Sequence, residues 1–204
     1  MYTNLEYNEY AREMLTQLPR GAFLSVKAGD QINTMTIGWG AIGYIWKKPL
    51  LIVAVRTSRY TYELMEKAND FSVSLPLDAD LKTALGEAGK KSGRDIDKFQ
   101  HIHLTAQEGQ KIESPVIGEC KLIYECKIVY KQQLDPEMLR EEIKEKFYAD
   151  HDYHTLYFGE IVSSYINVID HQSAQGGSSS STSKRCPSNR DSIMLPAICR
   201  STSQ

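Results

Sequence analysis

Short apolar or alternating runs recur along most of the chain and are bounded by Gly, Pro and Asp, a pattern that predicts β-strands. The four clearest runs cover residues 22–27, 32–39, 50–55 and 71–75, and two longer runs cover residues 119–134 and 155–169. In the run that begins at Glu119, apolar residues from Cys120 to Tyr130 alternate with charged ones such as Lys121 and Glu125. This period of two predicts an antiparallel strand with one buried face.

Helical patterns are fewer and cover residues 7–18, 60–69, 81–86 and 136–148. The last of them has Asp135 in the capping position and Pro136 at the first helical position. The strands recur too closely for a strand-helix-strand repeat, so we predict a mainly β fold with a few peripheral helices. A barrel and a sandwich both fit this pattern, and a barrel would remove the exposed edges that many short strands otherwise present.

The length of 204 residues suits one domain. We expect residues 1–171 to fold and residues 172–204, which are rich in Ser and Gly, to form a disordered low-complexity tail. Cys120 and Cys126 would lie about 20 Å apart along one strand, too far for a disulfide. Cys186 and Cys199 fall in the tail, so we expect reduced, structural thiols.

The charge balance excludes some partners. The chain has 24 Lys and Arg against 26 Asp and Glu, a net charge of -2, and no long basic block outside the tail, so we expect no nucleic-acid partner. Its polar, acidic start does not resemble a secretory signal, and no run approaches the roughly 20 apolar residues of a membrane span. These features predict a cytoplasmic protein that does not bind a membrane.

One motif imitates a dinucleotide site. Gly38-Trp-Gly-Ala-Ile-Gly43 matches the pattern Gly-x-Gly-x-x-Gly, and Glu63 lies 20 residues beyond it. That fingerprint requires a helix that starts inside the motif. Here Pro49 and a strand pattern follow almost at once, so we interpret the glycines as places where the backbone bends or lies close to a flat ligand.

A stronger candidate for anion binding follows the apolar run 50–55. Arg56-Thr-Ser-Arg-Tyr-Thr61 leads from this strand into a predicted helix. A helix start offers unpaired amides and partial positive charge, and Arg56, Ser58 and Thr61 add donors suited to a terminal phosphate. The alternative is that Ser58 caps the helix and the arginines point into solvent.

Segments in order from about residue 22 to residue 169 resemble the flavin reductase-like, or flavoredoxin, family of FMN-binding split barrels. They are Asn33-Thr-Met-Thr-Ile-Gly-Trp39, the Arg56 to Thr61 turn with Tyr62-Glu63, Phe71-Ser-Val-Ser-Leu-Pro76, Lys91-Ser-Gly-Arg-Asp-Ile-Asp-Lys-Phe99, Glu119-Cys120, Glu125-Cys126, Tyr130-Lys131, Leu134-Asp135-Pro136, Asp152-Tyr-His154 and Gly159-Glu160-Ile161. The resemblance implies a split β-barrel that binds FMN near the interface of a homodimer. It also implies NADH, NADPH or a redox protein as the electron donor.

The resemblance further implies the roles of ten residues. Asn33, Met35, Thr36 and Ile37 would line the isoalloxazine, Arg56, Ser58 and Thr61 would hold the phosphate, Lys91 and Ser92 would close over it, and His154 would approach from the facing subunit. Two departures stand out: Ala88 and Gly89 occupy positions where such proteins often carry a Cys, and the tail after Gln172 has no counterpart.

Each of these assignments has a plainer alternative. Without the resemblance, Lys91, Ser92 and Arg94 would be interpreted as a solvated turn between helices. His151 and His154, like His101 and His103, imitate a metal site, but no third ligand stands at a diagnostic spacing, so we expect no metal.

Three functions fit the chain at this point. The first is an FMN-dependent reductase that takes electrons from NADH or NADPH and passes them to free flavin or another small acceptor. The second is a flavoredoxin-type carrier reduced by a ferredoxin-like partner. The third is a binding module without redox activity for another planar ligand such as haem. In the first two, the flavin would perform the electron chemistry and the protein would bind and orient it. Thr36, or the amides of residues 37–40, would stabilise the reduced ring.

Overall fold

A computed structural model describes residues 2–167 of the chain. The predicted tail, the domain boundary at residue 171, and Cys186 and Cys199 lie outside the described residues. None of the helices among residues 2–167 has the length and apolar character needed to cross a membrane.

Ten strands and five short helices make up this part of the chain. The strands are β1 Tyr2–Asn4, β2 Ala22–Ala28, β3 Gln31–Ile37, β4 Gly40–Ile45, β5 Lys48–Arg56, β6 Asp70–Leu75, β7 Ala106–Gln107, β8 Val116–Ile117, β9 Leu122–Gln133 and β10 His154–Asn167. The helices are α1 Ala11–Gln17, α2 Tyr60–Met65, α3 Lys82–Lys90, α4 Lys98–His101 and α5 Glu141–Phe147. The prediction of a mainly β fold with a few peripheral helices is confirmed.

One antiparallel sheet has the strand order β3-β2-β6-β9-β10-β5-β4, with β1 paired to β10. β7 and β8 form a separate pair. The strands β3 and β5 contact each other although they stand far apart in this order, so the sheet curls back on itself. Within residues 2–167 no ladder joins β3 to β4, and the curled sheet stays open there.

The inside of the curled sheet holds the main core. Its buried side chains include Leu24, Leu51, Phe71, Tyr124 and Tyr157, contributed by five different strands. A second apolar cluster lies on the outside, where α3, α4 and the β7–β8 pair cover the sheet. Burial on both sides explains why the middle of the sheet tolerates apolar residues at consecutive positions.

This double burial corrects the prediction for the strand after Glu119. The strand is buried on both faces from Leu122 to Cys126, where Ile123 and Glu125 are buried as well as their neighbours. Beyond Cys126 its residues are exposed except for the half-buried Ile128, so the predicted buried face does not extend to Tyr130. The Glu125 carboxylate accepts hydrogen bonds from the backbone N–H of Gln110 and of Lys111, each at 2.7 Å, and one from Tyr165 Oη at 2.8 Å. Alternation alone could not show that a loop would cover this carboxylate.

The remaining predictions of local structure were partly wrong. The predicted helix 136–148 is interrupted: Asp135 caps a 3-10 turn, Pro136–Met138, and α5 begins only at Glu141. Gly40 and Gly43 lie in β4, an exposed strand that the glycine pattern concealed, and no helix follows them. The dinucleotide-like motif therefore lies on a β-hairpin, and a Cβ on Gly40 would meet Ile52 O at 2.6 Å.

Cys120 and Cys126 are free thiols, and both are buried. Burial is the main reason that the pKa of each thiol lies well above its usual value. The negative charge of the neighbouring glutamate, Glu119 or Glu125, raises the pKa further. Both cysteines thus pack as small apolar side chains and stay protonated, as the sequence predicted.

Gly159 in β10 gives a direct test of core packing. A Cβ at this position would meet Phe71 Cζ at 2.5 Å and Cys126 Cβ at 2.6 Å, so Gly159→Ala forces rigid core groups apart. We expect the free energy of unfolding to fall by about 1–3 kcal/mol in urea titrations, the usual cost of an overfilled core. Gly43→Ala is the control because nothing lies within 4 Å of its Cβ position. Equal stability of the two variants would contradict this packing.

Candidate functional site

The turn between β5 and α2 is the centre of the predicted site. Arg59, not Ser58, is the N-cap of α2, and no side chain caps this helix. The alternative in which Ser58 caps the helix is therefore wrong. Because α2 has only six residues, its dipole is small, and anion binding here depends on side chains and on individual N–H groups.

The donors of this turn already hold a carboxylate. Asp152 Oδ2 accepts a hydrogen bond from Ser58 Oγ at 2.6 Å, and Asp152 Oδ1 accepts from Thr57 Oγ1 at 3.1 Å and from Ser58 N at 3.2 Å. Asp152 lies in the segment that precedes β10. Thr57 and Ser58 are thus already engaged by a side chain of the same chain, whereas the Thr61 hydroxyl accepts from Asn33 Nδ2.

Arg56 is engaged with the same segment. Its guanidinium donates to Asp150 Oδ1 at 3.2 Å, to Asp152 O at 2.8 Å and to Phe147 O at 2.8 Å, and it lies over the Tyr148 ring at 5.4 Å. The guanidinium of this arginine is therefore bound by groups of the chain itself and does not extend freely into solvent. It fastens residues 147–152 to the end of β5.

A cavity of about 100 Å³ lies on the other side of this turn, and we call it the cationic cavity. Five of its side chains carry positive charge: Arg59, Lys90, Lys91, Arg94 and Lys98. Its other lining residues are Asn33, Met35, Ser58, Tyr60, Thr61, Ala88, Gly89, Ser92 and Gly93. No acidic residue lines it, so an anion would be attracted here.

Lys98 is the most unusual member of this set. Its side chain is 5% exposed, and its ammonium donates to Ala88 O at 2.7 Å. Burial, followed by the nearby charge of Arg59, lowers the pKa of Lys98 from 10.5 to about 8. Lysine is rarely buried unless it is paired, and here the partner of the ammonium is the neutral carbonyl of Ala88.

The segment 91–94 closes the cavity against β3. A Cβ on Gly93 would collide with the Asn33 amide and meet Tyr60 Cδ1 at 2.8 Å, so only glycine permits this close approach. Asn33 Nδ2 donates to Thr61 Oγ1 at 2.9 Å beneath it, and both side chains are buried. Lys91 Nζ lies 3.0 Å from Glu87 Oε2 and donates to His101 Nε2 at 2.5 Å.

A second cavity of about 170 Å³, which we call the β3 cavity, adjoins the first. The two cavities share Met35 and Arg59. The β3 cavity is otherwise lined by Thr36, Ile37, Gly38, Trp39, Ala54, Arg56 and His154. Because β3 pairs only with β2, N–H and C=O groups on its other edge are free of ladder bonds and face outward.

His154 opens β10 opposite Arg56 and borders the β3 cavity of its own chain. Burial, then the charge of Arg56, lowers the pKa of His154 to about 4, so the ring is neutral at pH 7. Its Nδ1 lies 2.9 Å from Tyr148 Oη, and its ring centroid lies 4.9 Å from that of Trp39. The resemblance implied an approach from the facing subunit, whereas one chain alone places His154 at the cavity.

The Thr36 hydroxyl is also committed, since Oγ1 donates to Leu85 O at 2.6 Å. A hydroxyl has one proton to donate, so Thr36 cannot also donate to a ligand without breaking this bond. The outward-facing amides of β3 are therefore better candidates to meet a polar ring edge.

All ten residues that the sequence predicts border one of the two cavities. Asn33, Met35, Ser58, Thr61, Lys91 and Ser92 line the cationic cavity, and Met35, Thr36, Ile37, Arg56 and His154 line the β3 cavity. Their binding roles stay predictions. Sequence reasoning missed Arg59, Lys98 and Trp39 as lining residues, although each falls inside a segment that carried the family resemblance.

The Asp152 contacts predict how stability depends on pH. Burial raises the pKa of Asp152, but the hydrogen bonds from Ser58 and Thr57 and the charge of Arg56 outweigh burial and lower it overall. A lowered pKa in the folded state stabilises the protein above the unfolded pKa, and the benefit is lost as pH falls through the folded value. We expect Asp152→Asn to be less stable than wild type by about 1 kcal/mol at pH 7.

The difference in stability between Asp152→Asn and wild type should shrink as pH falls below about 4, near the ordinary pKa of an aspartate. Thermal unfolding of both proteins from pH 7 to pH 3 measures it. A gap that stays constant over this range would show that the charge of Asp152 does not contribute. Asp30→Asn at an exposed hairpin position is the control.

Comparisons with solved structures show where this fold occurs. A flavoredoxin of Methanosarcina acetivorans is 25% identical, with a TM-score of 0.56 over 71% of this chain and 67% of that chain. The flavoredoxin of Desulfovibrio vulgaris is 24% identical, with a TM-score of 0.57 over 72% and 68%. An FMN-binding domain of a flavin reductases-like enzyme from Shewanella baltica is 17% identical, with a TM-score of 0.62 over 84% and 81%.

Comparisons of sequence point the same way. An uncharacterized protein of Archaeoglobus fulgidus is 32% identical over 103 residues, which are 50% of this chain and 57% of that protein. The chain thus matches little more than half the length of that relative. The family model described as flavin reductase like domain matches residues 17–175, most of the chain. The chain belongs to the flavin reductase like domain family.

Proposed function

We propose that the protein binds FMN across the two adjoining cavities, with the phosphate in the cationic cavity and the isoalloxazine in the β3 cavity. The observation that carries this proposal is their contrast. One cavity has five cationic and no acidic side chains. The other shares Arg59, is bordered by Arg56, which the chain itself binds, and is otherwise formed by residues such as Met35, Ile37 and a neutral His154 beside an open strand edge. FMN has the same division into a dianionic end and a flat end.

The same geometry favours FMN over FAD. FMN ends in a phosphate monoester, which fits a small cavity closed by Gly93 against Asn33, whereas FAD continues beyond its phosphates. Two similar structures are named for different flavins. One is an FMN-binding protein from Thermus thermophilus, and the other is an NADH:FAD oxidoreductase from Streptomyces globisporus. Both flavins therefore occur on this fold.

FMN, when bound, supplies the electron transfer, and the protein binds and orients it. Arg59, Lys91 and Lys98 neutralise the phosphate. His154 stays neutral and excludes water together with Trp39, and the free amides of β3 meet the polar edge of the ring. Arg56 does not bind the phosphate, because its guanidinium is bound to the Asp150 carboxylate and to the Asp152 carbonyl. Through these bonds Arg56 holds residues 147–152 in place, so that His154 stays beside the ring.

The activity we propose is that of a reductase, which accepts electrons from NADH or NADPH and passes them to free flavin or another small acceptor. Residues 2–167 contain no parallel strand-helix-strand unit, so the nicotinamide would stack directly on the flavin. Trp39 lines the β3 cavity and is 44% exposed, so solvent reaches the cavity wall on this side.

A second candidate is an electron carrier of flavoredoxin type. The similarity to two flavoredoxins favours it, one of them at 25% identity. A carrier would receive electrons from a redox protein and would not react with a nicotinamide. The two candidates share the FMN site and differ only in the donor.

Purified protein loaded with FMN and titrated anaerobically distinguishes the two. We expect NADH or NADPH to bleach the visible flavin band, because the flavin ring lies beside an open cavity mouth. Bleaching by dithionite alone would contradict the reductase and favour the carrier. A protein that never retains FMN would contradict both.

Arg59→Met tests the placement of the phosphate. Arg59 is exposed and donates to Gly89 O at 3.1 Å, so its loss should not unfold the chain. We expect FMN affinity to fall roughly 10-fold or more, the cost of one charge-assisted hydrogen bond. Riboflavin affinity should fall much less, because Arg59 also borders the β3 cavity but riboflavin has no phosphate for it to bind. Fluorescence quenching of each flavin measures both, with Arg12→Met as the control.

A homodimer is the remaining part of the proposal. An aromatic patch formed by Trp46, Tyr130 and Phe158 lies where the β4–β5 turn adjoins β9 and β10. Trp46 is 58% exposed and Tyr130 is 43% exposed. Trp46 and Lys47 hold the β4–β5 turn with positive φ of 56° and 59°, a conformation that side chains rarely adopt. A second copy of the chain would cover this patch.

Trp46→Glu combined with Tyr130→Glu should convert the dimer to a monomer, because two charges would be buried at the interface. Light scattering after size exclusion measures the mass. Leu15→Glu, which changes an exposed apolar residue outside the patch, should leave the dimer intact. A wild-type protein that is monomeric at micromolar concentration would contradict this interface.

A further inference from the structure

Lys98 differs from the other cations of the cationic cavity in its burial. The remaining four side chains reach solvent, whereas Lys98 is 5% exposed. It opens α4 directly after the Asp97 cap, so its stem runs inward beneath α3, and its ammonium reaches the carbonyl of Ala88. The position is fixed by backbone structure on both sides.

The charged and titratable groups of every neighbouring element leave this ammonium without a counter-ion. They are Arg59 before α2, Tyr60, Tyr62 and Glu63 on α2, Lys82, Glu87 and Lys90 on α3, Lys91 at its end, Arg94 and Asp95 in the segment after it, and Asp97 and His101 at α4. Glu63 pairs with Arg94, Glu87 pairs with Lys91, and Asp97 caps α4 through Gln100 N. Within residues 2–167, Lys98 forms no ion pair.

The neighbours that face the cavity with it are cations. Burial disfavours the charged form of Lys98, and the positive charge of Arg59 repels its ammonium. Both effects lower the pKa of Lys98. A buried lysine with like-charged neighbours is therefore held close to losing its proton. An anion inside the cavity would reverse this balance, because it attracts the charged form.

We propose that Lys98 is the buried counter-charge for the phosphate of the bound flavin, and that Lys98 takes up a proton when this phosphate binds. The inference rests on the proposed function, since it requires FMN in the cationic cavity. It deepens that function by tying the affinity for phosphate-bearing flavin to pH.

The direction of the effect follows from the pKa. In the free protein the pKa of Lys98 is lowered to about 8, so at pH 8.5 most molecules have a neutral Lys98. Phosphate binding raises this pKa, and the complex then holds the proton. FMN affinity should be greatest below pH 8 and fall as pH rises above it. The phosphate itself does not titrate in this range, because its second pKa is about 6.

Calorimetry of the wild-type protein tests proton uptake without any variant. FMN and riboflavin are each titrated at pH 8.5 in two buffers of different ionisation enthalpy. We expect FMN binding to take up most of one proton and riboflavin binding to take up none. Riboflavin shares the ring, so any titration of the isoalloxazine cancels in the comparison.

Lys98→Met provides the second arm, because it keeps the apolar stem and removes the charge. We expect FMN affinity at pH 7 to fall roughly 10- to 100-fold, riboflavin affinity to change little, and the proton uptake to vanish. Lys98→Arg should restore part of the FMN affinity without the pH dependence, since arginine keeps its proton. Lys82→Met, at an exposed position of α3, is the control.

The outcomes separate this inference from the proposed function. FMN binding without proton uptake, or with unchanged affinity in Lys98→Met, overturns the role of Lys98 and leaves the FMN site standing. Equal losses for FMN and riboflavin in Lys98→Met also overturn it, because they mean that Lys98 only ties α4 to α3. A wild-type protein that binds neither flavin overturns both proposals.

Discussion

β10 pairs with three other strands, and the arrangement of the site depends on these pairings. It pairs with β9 over nearly its whole length, with β5 along its first half and with β1 at its end. The pairing with β5 sets His154 opposite Arg56, at the point where β5 leads into the turn before α2. The residues just before β10 must then cross this turn, and Asp152 meets Ser58 there. A shift of one residue in this register would move His154 away from the cavity.

The two arginines of the turn show how the fold divides its positive charge. Arg56 is satisfied inside the chain by Asp150 and by the carbonyls of Phe147 and Asp152, so it serves the structure. Arg59, three residues later, donates to the carbonyl of Gly89, pairs with no carboxylate of residues 2–167 and faces the cationic cavity. Lys98 is buried, and within the same residues its ammonium is likewise bound by a carbonyl and not by a carboxylate. Cations that are held by neutral carbonyls and share one small cavity are suited to an external phosphate.

The sequence predicted most of this arrangement and missed what depends on tertiary contacts. Periodicity located the long strands, and the family resemblance assigned ten residues that all border the two cavities. The sequence could not show that Arg56 and Arg59 have different roles, because their hydrogen-bond partners come from residues far along the chain. Lys98 stood within the quoted Lys91 to Phe99 segment without a role, since its burial depends on α3. β4 was missed because an exposed strand with glycines lacks the buried alternation that identifies a strand.

A crystal structure of the protein with FMN would locate the phosphate and the flavin ring independently of affinity. We predict phosphate oxygens within hydrogen-bonding distance of Arg59 and Lys98, the isoalloxazine beside Trp39 and His154, and Asp152 still bound to Ser58. A phosphate bound instead by Arg56 and Ser58, with Asp152 displaced, would contradict it, as would a flavin ring outside the β3 cavity.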